Sequence, residues 1–162
     1  MPVFRASSLV GLAGISLLAA GAAENSIRPA TERLIVDGLD GPVSAKVERI
    51  VDGDTIDVRA TIWIGQSLFI RIRIDGIDAP ELEARCAEEK RLAEKARDYL
   101  VRRLSGAQVR LSRIVYDKYG GRVRAHVSDI MGDIGEAMLK ENLARSYHGE
   151  RRQPWCTGRM GN

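Results

Sequence analysis

From Val43 to Val127 the chain alternates hydrophobic and polar positions in short runs, interrupted once by a stretch of longer period. Val43, Ala45 and Val47 alternate with Ser44, Lys46 and Glu48, a period of two that predicts a half-buried strand. Asp52-Gly53 is a turn signal of the kind that joins antiparallel strands. Beyond it, Ile56, Val58, Ala60 and Ile62 fall on one face, with Thr55, Asp57, Arg59 and Thr61 on the other. Gly65-Gln66 marks the next turn. A third strand then sets Leu68, Ile70, Ile72 and Ile74 against Arg71, Arg73 and Asp75. After Pro80 the period changes. Cys86, Leu92, Ala93, Ala96, Leu100 and Leu104 recur at three- and four-residue spacings among charged residues. That spacing predicts an amphipathic helix over 82–104, stopped near Ser105-Gly106. Two more strands, Val109–Val115 and Val123–Val127, are joined by Asp117-Lys118-Tyr119-Gly120-Gly121, and a shorter helix covers Ile134–Leu143.

Three strands, a helix, two strands and a helix make a small α+β domain. A five-stranded barrel of the oligonucleotide/oligosaccharide-binding type (OB-fold) fits that order. The 162 residues suit one such domain, placed over 43–146, plus short flanking segments. Residues 24–42 hold prolines and glycines without period and read as a linker or irregular arm, with a short strand at Arg33–Val36. Residues 147–162 form a basic tail without period.

The first 23 residues change the setting. Arg5, the apolar run Leu9–Ala20 and the small residues Ala20-Gly21-Ala22-Ala23 have the form of a secretory signal peptide. The run is short for a spanning helix, the alternative being an uncleaved membrane anchor. The protein is therefore expected to be exported, either periplasmic or secreted. In an oxidising compartment Cys86 and Cys156 most simply form one disulfide, tying the tail to the middle of the domain. The rival reading, a cysteine-based zinc site, is disfavoured by spacing, because His126 and His148 are widely separated and no close ligand pairs occur. The net charge of +3 permits a polyanionic partner without demanding one.

The candidate chemistry lies in Val51–Glu81. By strand phase Asp54 shares the face of Ile56 and Val58, at the mouth of an apolar interior, where a carboxylate needs a cation or donors to offset its burial. Asp75, Asp78 and Glu81 form a second acidic cluster at the end of the third strand. In an antiparallel meander the start of one strand and the end of the next lie together, so Asp54 and Asp78 can meet. Two carboxylates with a backbone carbonyl and waters suit a hard cation such as Ca²⁺ or Mg²⁺. Arg73, and Arg122 after the Tyr-Gly-Gly turn, are candidates to grip a phosphate, with Lys118 and Tyr119 for phosphate contact and base stacking.

Val-Asp-Gly-Asp-Thr, Arg-Ile-Asp-Gly-Ile-Asp-Ala-Pro-Glu and Asp-Lys-Tyr-Gly-Gly-Arg occur here in that order. Together they resemble the staphylococcal nuclease (thermonuclease) family from Val43 to Ala144. The resemblance implies a barrel of the type above and Ca²⁺-dependent hydrolysis of phosphodiester bonds in DNA and RNA, with low sequence specificity. Asp54 and Asp78 would then ligate calcium, joined by the backbone carbonyl of Ala79, where the family often has Thr. Glu81 would orient or deprotonate the attacking water. Arg73 and Arg122 would bind the phosphate, and Lys118 and Tyr119 match positions near a terminal phosphate of the nucleotide. The turn carries an additional glycine, so Arg122 rather than Arg124 is assigned by matching Arg-x-x-Ala to Arg122–Ala125. The C-terminus is too short for the family's last long helix; the disulfide would fix the tail instead, with Tyr147 and His148 as candidates for base contact. The expectation is a monomeric enzyme without a stable protein partner. Its rival is a non-catalytic nucleic-acid-binding barrel.

Overall fold

A computed structural model describes residues 37–156. The expected signal segment at 1–23, the strand at Arg33–Val36 and the last residues of the tail lie outside it. The elements run β1 (Gly38–Leu39), β2 (Val43–Ile50), β3 (Thr55–Trp63), β4 (Gln66–Ile74), β5 (Ile77–Asp78), α1 (Ala87–Leu104), β6 (Gln108–Tyr116), β7 (Arg122–Asp129), β8 (Gly132–Asp133), α2 (Ile134–Lys140) and β9 (Arg145–Ser146). Strands β2, β3 and β4 form an antiparallel meander, β7 adds parallel to β4, and β6 pairs with both β7 and β2. That last pairing closes a five-stranded barrel. The fold is the α+β OB-type barrel with one long and one short helix that the periodicity predicts.

The interior is built from the alternating positions. Val47, Ile56, Val58, Ile72, Ile74, Leu111 and Val127 are fully buried, together with Leu100 and Leu104 of α1 and Ile134 and Met138 of α2. Each such side chain contributes about 2 kcal/mol by leaving water. Alternation misleads at one end of β3 and β4. Ile62 and Leu68 are exposed although they continue the apolar faces. The neighbouring strands do not reach them: β2 pairs with β3 only as far as Ala45–Ala60, and β7 pairs with β4 only from Arg71 to Ile74. The hairpin tip therefore runs past the barrel.

Other boundaries differ for local reasons. Helix α1 begins at Ala87 rather than near 82, because Cys86 is extended and its sulfur caps the Glu89 N–H. Helix α2 stops at Lys140 rather than Leu143, since Asn142 adopts a left-handed φ of 56° and the Leu143 N–H returns to the Met138 carbonyl. The expected irregular arm contains β1, which pairs with β6.

Two features aim the site. The loop after β2 packs so tightly that a methyl on Gly53 would lie 2.7 Å from the Ala79 Cβ and 2.9 Å from the Ala96 Cβ of α1. After β4, Gly76 at φ 81° turns the chain into β5. Strand β9 then pairs with β5, setting Arg145 opposite Asp78, and the Tyr147 N–H bonds the Gly76 carbonyl. The C-terminal tail is thereby led alongside Asp78.

Candidate active site

The β3–β4 register pairs Thr55 with Arg73, and the Ile74 N–H bonds the Asp54 carbonyl at 2.8 Å. This places Asp54 at the end of β4, beside the turn into Asp78. The expected meeting of the two acids occurs, with Arg73 between them. Its Nη1 lies 2.6 Å from Asp54 Oδ2, and its Nη2 lies 3.7 Å from Asp78 Oδ1 while donating to the Ile77 carbonyl at 3.1 Å. All three side chains are 7% exposed. Arg73 is thus not the solvated arginine that strand alternation allows; its outward-phase position is roofed by β5.

Asp54 is the better satisfied acid. Its Oδ1 accepts from the Thr55 hydroxyl at 2.9 Å, and its Oδ2 accepts from the Ala79 N–H at 3.2 Å. Ala79 is itself buried in contact with the acid loop. Asp78 receives Arg152 Nε at 2.9 Å on Oδ1 and the Trp155 indole N–H at 3.4 Å on Oδ2. No hydrogen bond of good direction reaches the buried Oδ1, so the contact with Arg152 is one of charge alone. Burial pushes the Asp78 carboxyl above its usual range, with Asp54 adding to the rise, and Arg152, Trp155 and Arg73 offset it only in part. Asp52, whose Oδ1 accepts the Asp54 N–H, is pushed up to about 6 by burial and then by Asp54.

This is an acid cluster with too little positive charge. A buried carboxylate oxygen without a hydrogen bond, beside a second buried carboxylate, fits a hard divalent cation, and all-oxygen donors favour Ca²⁺ or Mg²⁺ over softer metals. Among the described residues, Cys86, Glu89 and Cys156 also crowd together. They offer no thiolate, because the two sulfurs are bonded to each other. The pairing read from the sequence is therefore present, and it joins the tail to the start of α1.

An open cavity of about 840 Å³ adjoins the acids and is lined by Arg73, Glu81, Lys118, Tyr119, Arg122 and Arg152 among others. Glu81 is exposed and its carboxylate is held by Arg152. Arg122 stands at the start of β7, paired with Asp117 across the turn and lying 4.9 Å from the Tyr119 ring centre. Lys118 approaches the same ring at 5.1 Å. Tyr147 and His148 also line the cavity, and Arg73 and Arg152 each lie 5.9 Å from the Tyr147 ring centre. One expected member is elsewhere: Asp75 is engaged by Arg124 at 3.0 Å, on the far side of the Gly76 turn from Asp78.

Sequence reasoning missed four groups. Asp52 looks like half of a turn signal, and Asp117 like a loop acid. Arg152 and Trp155 lie in a tail without period. Only the tail gave a signal, the cysteine at 156, whose bond to Cys86 requires the preceding residues to approach α1.

No curated protein matches the chain. A family model described as "Staphylococcal nuclease homologue" matches residues 71–157. The match takes in Arg73, Asp78, Glu81, Arg122 and the tail with Arg152 and Trp155, whereas the motif resemblance ended at Ala144; it leaves out Asp54. That match covers more than half of the chain and agrees with the barrel and its two helices, so the protein belongs to the staphylococcal nuclease family and carries a nuclease-type or nucleic-acid-binding domain.

Proposed function

We propose that the protein is an exported Ca²⁺-dependent endonuclease that hydrolyses phosphodiester bonds in DNA and RNA with low sequence specificity. The observation that carries this reading is the buried, incompletely satisfied Asp78 sharing Arg73 with Asp54, beside a cavity walled by arginines. Asp54 and Asp78, with the backbone oxygen of Ala79, would hold the cation. When bound, it supplies positive charge against a phosphate oxygen.

The chain's own residues carry the rest. Glu81, at the cavity wall, orients a water and takes its proton as the water oxygen bonds to phosphorus and the ester oxygen leaves. Arg73 and Arg122 offset the charge that grows on the phosphoryl oxygens. Arg122 is held for that role by Asp117 and Tyr119, so little side-chain freedom is lost on binding. Lys118 and Tyr119 add a phosphate contact and a stacking face. These contacts address backbone phosphate and base faces, which underlies the low specificity. The Cys86–Cys156 bond suits a protein that works outside the reducing cytoplasm.

Purified protein incubated with single- and double-stranded DNA should cleave both when Ca²⁺ is present and neither when chelator is added. Cleavage that persists in chelator would remove the calcium assignment. Binding without cleavage under every metal condition would establish the non-catalytic barrel instead.

A further inference from the structure

Arg73 and Arg152 meet the same acids in different ways. Arg73 belongs to the barrel, is 7% exposed, and is fixed by Asp54, Asp78 and the Ile77 carbonyl. Arg152 comes from the tail and is 41% exposed. One guanidinium spans Asp78 Oδ1 and Glu81 Oε1, that is, a cation ligand and the water-activating carboxylate of the reading above. It therefore occupies both groups that the proposed reaction needs free.

The backbone around it is held at several points, while its side chain is 41% exposed and, among the described residues, held only by the two acids and the Tyr147 face. Cys156 is bonded to Cys86, the Arg145 guanidinium lies 3.7 Å from the Trp155 ring centre, Arg145 Nη1 donates to the Pro154 carbonyl, and the Trp155 indole reaches Asp78. A long arginine on a held backbone can change partners without moving the tail. It cannot lose its charge, so when its acids are neutralised it must find another anion or return to water. Arg152 shares the cavity wall with Arg73 and Arg122 and lies over Tyr147, which faces the same space. On the reading above, the anion that enters there is a phosphodiester.

We propose that Arg152 is a third phosphate-gripping arginine of the site, paired with Asp78 and Glu81 until a cation and substrate engage those acids, and then turned to the substrate phosphate. The proposal rests on the calcium-dependent reading of the site. Arg152 has two opposed effects in this account: it competes for the acids before substrate arrives, and it holds the phosphate afterwards. The disulfide keeps it within reach of both.

Trp155 provides a readout that does not depend on turnover. The chain has two tryptophans, and Trp63 stands exposed at the hairpin tip, so a Trp63→Phe background leaves Trp155 alone to report on Asp78. In that background Ca²⁺ is titrated into the full-length, disulfide-intact protein, with and without Arg152→Gln. A phosphorothioate oligothymidylate is then titrated at saturating Ca²⁺, its binding followed by anisotropy of an attached dye. Arg152→Gln should tighten Ca²⁺ binding roughly threefold to tenfold and weaken the oligonucleotide roughly tenfold. Arg152→Lys should restore the greater part of both. If Ca²⁺ and oligonucleotide affinity fall together, Arg152 is merely structural and the proposal is overturned. It is also overturned if neither changes. Failure of the unsubstituted background protein to bind Ca²⁺ at all would instead refute the calcium reading on which the proposal stands.

Discussion

Asp54 and Asp57 are three residues apart at the start of β3, both buried, and they teach opposite lessons. Asp57 is gripped by two arginines: Arg71 donates from Nε to Oδ1 at 2.7 Å, and Arg49 reaches Oδ2 at 2.6 Å. The Arg71 hydrogen bonds, with those of Arg49, hold its carboxyl below the ordinary value despite its burial. Around Asp54 the balance is reversed. Asp52 stands above its ordinary value because burial and the neighbouring acids outweigh its hydrogen bonds, and Asp78 does so because burial and Asp54 outweigh Arg152, Trp155 and Arg73. Burial alone does not mark a functional acid. What sets the candidate site apart from this fold-stabilising ion pair is burial that the protein leaves under-compensated.

Substitution should break the two clusters in different currencies. Asp78→Asn should lower the initial cleavage rate about a thousandfold, equivalent to about 4 kcal/mol of transition-state stabilisation. In chelator the same variant should melt no lower than the parent by calorimetry, because it removes a charge the fold compensates poorly. Asp57→Ala should do the converse: the rate at saturating substrate stays within a fewfold, while denaturant unfolding shows a loss of about 1–3 kcal/mol. Gly53→Ala tests the packing that aims the acid loop. Its methyl meets Ala79 and Ala96 below any normal contact distance, so stability should fall by about 1–3 kcal/mol, with weaker Ca²⁺ binding in the same titration.

The smallest expected effect is on pH. A depressed carboxyl such as Asp57 contributes stability that is present above its unfolded pKa of about 3.9 and lost as pH falls through the lower folded value. Arg71→Gln removes the largest cause of the depression, so acid unfolding followed by circular dichroism should begin at higher pH than in the parent. An unchanged acid transition would show that Arg49 alone suffices.

The barrel was legible because its strands obey a period of two and α1 obeys a longer one, so inward positions such as Ile56, Ile72 and Leu100 announce themselves. Where the period continued beyond the neighbouring strands, at Ile62 and Leu68, it misled. The candidate site was legible at residues that sit at the ends of regular elements, because strand register alone brings Asp54 and Asp78 together. Strand alternation could not distinguish Asp57 from Arg59, which share a phase but differ in burial, since cross-strand arginine forks leave no periodic trace. Nor could it find Arg152, which reaches the site through a disulfide and a stacked tryptophan rather than through an element.

The contrast between the two clusters is tested most directly by the Tm of the parent, Asp57→Ala and Asp78→Asn proteins, each measured with Ca²⁺ and with chelator. Anything that binds only the folded state raises Tm. The account predicts a Ca²⁺-dependent rise in the parent, the same rise from a lower baseline in Asp57→Ala, and none in Asp78→Asn. A rise that survives Asp78→Asn, or one that disappears in Asp57→Ala, would contradict it.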